Sequence, residues 1–257
     1  MFERIARSWR LVKASAQVLR EDKELLVFPM VSSLALVAVL VSFAIPVVGL
    51  GLLEGARGGG VSAPLAVVAF LFYATQYFVI FYFNAALVGA AMIRLDGGDP
   101  TVGDGLRVAN SRLGAIAGYA LIAATVGMVL RAIQERVGIV GKIVVGLIGM
   151  GWTIATAMVV PVLVARDVGP VEAIKESAGL LKKTWGENVV GHGGIGIAFG
   201  FIFLAVLALG AVLVVGAAMT KSLAAIVIAV VVVVLAILLT GLVQAALAGI
   251  YSAALYR

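Results

Sequence analysis

Residues 166–188 read RDVGPVEAIKESAGLLKKTWGEN, a basic amphipathic stretch set between two long apolar runs. Gly169 and Pro170 predict a helix start, Glu172 favours the positive end of its dipole, and Lys182 and Lys183 fall in the last turn. Val171, Ile174, Ala178, Leu181 and Trp185 share one face of that helix. Weaker versions occur twice earlier. Residues 1–24 place Phe2, Ile5, Trp9, Val12, Ala16 and Leu19 on one helical face with Arg and Lys around the rest. In 94–114, Asp99 and Pro100 predict a helix start followed by the stripe Val102, Leu106, Ala109 and Leu113.

Between these units the chain is nearly free of charge. Of 257 residues 63% are hydrophobic and 12% charged, and uncharged runs cover 25–53, 58–93, 113–130, 143–165, 188–220 and 222–256. A soluble domain carries about 25% charged residues, and a helix needs roughly 20 apolar residues to cross a hydrocarbon core. The reading is an all-α, polytopic transmembrane bundle of six passes in one domain. Short alternating segments, which a β-barrel requires, are missing. Pro29 falls near the start of the first pass, Pro46 predicts a kink in its outer part, and Pro161 lies in the fourth.

The organisation reads as three parallel repeats, about 1–94, 95–166 and 167–257, each an amphipathic helix followed by two passes. The repeats end on Arg94, Arg166 and Arg257. Asn84-Ala-Ala-Leu-Val-Gly89 in the first matches Gln244-Ala-Ala-Leu-Ala-Gly249 in the third, and Thr156 precedes Arg166 by the spacing that separates Asn84 from Arg94.

Lys and Arg number 14 on the side of the termini and 5 on the other. The positive-inside rule then places both termini in the cytoplasm. The net charge of +6 therefore reports orientation and contact with anionic headgroups, not nucleic-acid binding. The expected setting is a prokaryotic plasma (inner) membrane. With no cysteine there is no disulfide or thiolate chemistry. His192 stands alone between glycines and cannot complete a common metal site. Neither a metal nor another cofactor is expected.

FERI and SW near the start, DKELLVFP at 22–29 and PVEAIKES at 170–177 resemble an uncharacterised family of six-pass prokaryotic integral membrane proteins. They resemble more loosely the membrane domain found beside some glycerophosphodiester phosphodiesterases. In both, a Pro-x-x-Ala-x-x-x-Ser helix follows an even-numbered pass. The resemblance implies a helical membrane fold and carries no activity.

Candidate residues follow from polarity and size. No pass holds an ionisable group at mid-depth, so Asn84, Thr156 and Gln244 are the candidates for a polar substrate path near the midplane. Bond formation between helices is their simpler role. Trp9, Arg94, Arg166, Trp185 and Arg257 are expected at the membrane interface. Gly114 and Gly118, and likewise Gly196 and Gly200, are spaced for close helix packing. The expected function is that of a non-catalytic membrane assembly or scaffold component acting through its cytoplasmic amphipathic helices. Its partners would be the bilayer, further copies of itself or another membrane protein. The alternative is a channel or permease for a small uncharged or lipid-like solute.

Overall fold

The structure, a computed structural model, describes residues 2–49 and 63–257, and the side chains of all of these except 2–8 and 183–192. Trp185 and His192 thus lie outside the described side chains. The elements in chain order are α1 (Phe2–Glu21), a 3-10 turn (Lys23–Leu26), α2 (Val27–Gly49), α3 (Ala63–Leu95), α4 (Val102–Ser111), α5 (Leu113–Arg136), α6 (Ile139–Ala155), α7 (Val159–Ala165), α8 (Pro170–Met219) and α9 (Leu223–Tyr256). No strand occurs among the described residues.

Among the described residues, six segments are long and apolar enough to cross a membrane: Lys23–Gly49, Ala63–Leu95, Leu113–Arg136, Ile139–Ala165, Gly193–Met219 and Leu223–Tyr256. They coincide with the six apolar runs. α2 continues through Pro46 to Gly49.

Three local expectations are corrected. α4 is capped by Thr101, not Asp99. Thr101 Oγ1 accepts from Asp104 N at 3.2 Å, and the Asp104 carboxylate accepts from Thr101 N at 3.0 Å. This reciprocal pair satisfies two donors that the helix start leaves open, a better solution than Asp99 could provide. The second correction concerns the 166–188 helix, which does not end at Asn188. It continues into the fifth span as one 50-residue helix, about 75 Å long at 1.5 Å per residue. Gly191, Gly193 and Gly194 weaken the helix there but keep their N–H groups, and no proline follows to remove one. Thirdly, the fourth span is two helices, α6 and α7, separated by residues 156–158.

The core sits at the end of the bundle that carries both chain ends. It gathers Val18 and Leu19 of α1, Leu25, Phe28 of α2, the run 85–91 of α3, Ile116 of α5, Val159 and Leu163 of α7, Ala173 of α8, and Ala246 and Ile250 of α9. Small residues on α3 allow this density. A Cβ on Gly105 would lie 2.6 Å from the Ala86 carbonyl oxygen, so α4 can rest on α3 only because that position is glycine. Towards the opposite end the helices present Leu40, Ile45, Val48, Leu204, Leu209 and Val212 outward. Monomers in water rarely expose so much contiguous apolar surface.

Candidate functional site: a crevice beside a broken span

Pro161 explains why the fourth span breaks. It has no N–H for the Ala157 carbonyl, and its ring displaces that carbonyl from the helical path. The backbone tightens instead: Ala157 N donates to Ile154 O at 3.2 Å and Val159 N to Thr156 O at 3.1 Å. This leaves Met158 N–H and the Ala155 carbonyl without helical partners. One hydroxyl serves both. Ser177 Oγ accepts from Met158 N at 3.0 Å and donates to Ala155 O at 2.7 Å.

Ser177 is fully buried, as is Ala173 one turn before it. Ala173 has no side chain beyond Cβ to hold α8 away from α7. Pro170, at the start of α8, lies against Gly118 of α5, where a Cβ would stand 2.9 Å from Pro170 Cγ. The Pro-x-x-Ala-x-x-x-Ser motif is therefore a packing device. Its proline starts the helix, its alanine allows approach, and its serine completes the interrupted backbone.

Beside the break lies a crevice of about 280 Å³. Its walls are Pro29 and Ser32 of α2, Ile80, Phe83, Asn84 and Leu87 of α3, and Ala245, Ala248, Gly249 and Ser252 of α9, with Ala157 from the break. Ile80, Ala157 and Ala245 are exposed, so the crevice opens on the apolar flank of the bundle. Gly249 leaves room for the amide, since a Cβ there would lie 3.3 Å from Asn84 Oδ1. No charged side chain lines the space. Ser252 Oγ donates to Gly249 O at 2.8 Å, which commits its proton and leaves its lone pairs. Among the described residues the Asn84 amide and the Ser32 hydroxyl have no hydrogen-bond partner, and no hydrogen bond ends on the Ala157 carbonyl.

Of the three candidates for a polar path, Asn84 lines the crevice. Thr156 is 9% exposed and its hydroxyl donates to Trp152 O at 2.8 Å. Gln244 is half-buried, one residue before Ala245. Thr156 and Gln244 are neighbours of lining residues, and their own side chains do not line the crevice. Sequence reasoning passed over Ser32, Ala157, Ser177 and Ser252. The signal available was Pro161 inside an apolar run, which implies an unserved carbonyl four residues earlier.

The arginines that close the even-numbered spans lie together at the end carrying the chain termini. Arg94 Nε meets Asp22 Oδ2 at 2.8 Å, and its Nη1 meets Asp99 Oδ1 at 3.2 Å. Arg166 Nη1 reaches Glu176 Oε1 at 3.1 Å, and its Nε donates to the Tyr256 hydroxyl at 3.2 Å. Arg257 pairs with Asp96, and Arg112 with Asp167. These pairs tie α1, α3, α7, α8 and α9 into one collar. The hydrogen bond that Arg166 donates to the Tyr256 hydroxyl holds its guanidinium above its ordinary value. Hydrogen bonds from Thr101 hold the Asp104 carboxyl below its own.

Trp9 is 61% exposed on α1, with the Lys13 ammonium 5.9 Å from its ring centroid. Unlike Gly118, the glycines Gly114, Gly196 and Gly200 have, among the described residues, no heavy atom of a neighbouring element within 4 Å of a Cβ position.

No curated protein matches the chain in sequence. A family model, described as a family of unknown function, matches residues 63–257 and so takes in every element from α3 to the C-terminus. The chain belongs to that family, DUF6159.

Proposed function

We propose that this is a non-catalytic, six-pass protein of a prokaryotic plasma membrane that binds a small uncharged or lipid-like solute in the crevice around Asn84. The observation that carries this reading is the Asn84 amide. It has no protein partner among the described residues, in an uncharged space that opens on an apolar flank. An unmet amide costs about 1–3 kcal/mol away from water, and a ligand entering sideways from the bilayer would meet it. Burial of Thr156 beside the crevice supports a binding site over a continuous channel.

In this reading the chain comprises three parallel repeats. Support comes from the matched hexapeptides, whose final glycines are both points of close approach: Gly89 against Val108 and Gly249 against Leu87. The likeness to the membrane domain found beside some glycerophosphodiester phosphodiesterases is proposed at the level of architecture only. The arginine collar faces the cytoplasm, following the excess of Lys and Arg at the end carrying the termini. Five acids support a non-catalytic role because they are engaged. Asp22, Asp96, Asp99 and Glu176 pair with arginines, and Asp104 caps a helix.

A second reading, an assembly component with a membrane-protein partner or a further copy, is favoured by exposed Trp9. Against it, Val18 and Leu19 of α1 and Ala109 of α4 pack into the chain's own core. Native mass spectrometry of protein extracted with its lipids separates the readings. Solute binding predicts an adduct that is lost in Asn84→Leu without loss of folding. An identical adduct spectrum in the variant overturns it.

A further inference from the structure

Resting on the crevice as a binding site, we infer that its ligand is a neutral lipid alcohol, recognised through a hydroxyl that donates to the Ala157 carbonyl. The chemistry of the walls leads there. The groups with open lone pairs are the Ala157 carbonyl, Asn84 Oδ1 and Ser252 Oγ, whose own proton is committed to Gly249 O. The donors are the Asn84 amide N–H and the Ser32 hydroxyl, so a group that both donates and accepts is matched.

Charge is matched nowhere in this space. Arg94, Arg166 and Arg257 are engaged in the collar, and none of them lines the crevice. A phosphate entering it would lose its hydration without a cation to replace it, and an ammonium would find no carboxylate. The volume, about 280 Å³, lies at the lower end of small-molecule sites. It takes a head and its first methylenes, while the chain lies along the exposed flank at Ile80 and Ala245.

The carbonyl is available for one reason. Position 161 is proline and offers it no N–H. It is also fixed in place, because Ser177 holds the residues on either side of it, Ala155 and Met158. Ser177 and Pro161 are positioning residues for a recognition group that belongs to the backbone.

The experiment uses the full chain in nanodiscs and three photoreactive probes of one chain length: a long-chain primary alcohol, its methyl ether and its phosphate monoester. Attachment sites are mapped by mass spectrometry. The inference predicts that the alcohol labels crevice peptides roughly tenfold more than the ether or the phosphate, the discrimination expected of one hydrogen bond. Pro161→Ala supplies an N–H for Ala157, so the variant should still bind the alcohol but lose most of its preference over the ether. Equal labelling by alcohol and ether in the wild type, preference for the phosphate, or full discrimination in Pro161→Ala overturns the inference and leaves the binding site standing. Failure of all three probes to label the crevice overturns the binding site itself.

Discussion

The Ser177 hydroxyl donates to the Ala155 carbonyl at 2.7 Å, joining the first turns of α8 to the interrupted fourth span. Irregular backbone at such a position is tolerated only where protein or a cavity satisfies it. Ser177→Ala leaves one part-buried carbonyl and one buried N–H unmet, a loss of roughly 2–6 kcal/mol at about 1–3 kcal/mol for each group. Chemical unfolding in micelles reads that loss. Adding Pro161→Ala restores an unbroken helix as an option and should recover part of it. Equal stability of Ser177→Ala and wild type would remove the serine from this role.

The collar makes a ranked prediction. Asp22 has a side chain only 11% exposed and depends on Arg94, whereas Asp96, the partner of Arg257, is 56% exposed. Arg94→Ala strands a largely buried carboxylate and should cost about 2 kcal/mol, while Arg257→Ala should cost under about 1 kcal/mol. Thermal unfolding of the two variants side by side checks the order.

Acid should loosen α4 first at its start. Hydrogen bonds from Thr101 lower the Asp104 carboxyl below its ordinary 3.8 in the folded chain. Its stabilising contribution is complete above that ordinary value and disappears as pH falls through the lowered one. The protection factors of amides 101–105, each rate taken relative to the unstructured chain at the same pH, should fall over that acid range, and Asp104→Asn should show the lowered protection at neutral pH. A pH-independent protection factor in the wild type would contradict the cap.

The glycines divide by their surroundings. Gly105 meets the Ala86 carbonyl, so Gly105→Val should separate α4 from α3 at a cost of about 1–3 kcal/mol. Gly196 meets nothing nearby, and Gly196→Ala should stabilise the helix by about 1 kcal/mol. Destabilisation of a detergent-stable oligomer by Gly196→Ala would instead identify a face packed against another copy.

The spans were legible because an uncharged run of twenty or more residues has few alternatives, and Asn84 was legible as an amide within such a run. Continuity of α8 was not. The glycines around His192 look like a boundary, yet a helix ends only where its donors or acceptors find other partners. The crevice was equally hidden. Ala157, Ala245, Ala248 and Gly249 carry no functional side chain, and the proposed acceptor is a backbone carbonyl left without an N–H by a proline four residues away. Ser177 stood in the most conspicuous motif of the chain, but its partner across the α7–α8 turn was beyond reading from periodicity. Asn84, Thr156 and Gln244 are expected from the sequence to converge on one polar path; Asn84 lines the crevice, and Thr156 and Gln244 only adjoin lining residues along the chain.

The account depends most on the crevice opening sideways to lipid. The chain has no cysteine, so a single one can be introduced at Ala245 and labelled with a pyrene maleimide after reconstitution. Lipids brominated on their acyl chains should quench that fluorescence strongly, and aqueous iodide should not. Quenching by iodide with none from the brominated lipid would show a crevice facing water and contradict the account.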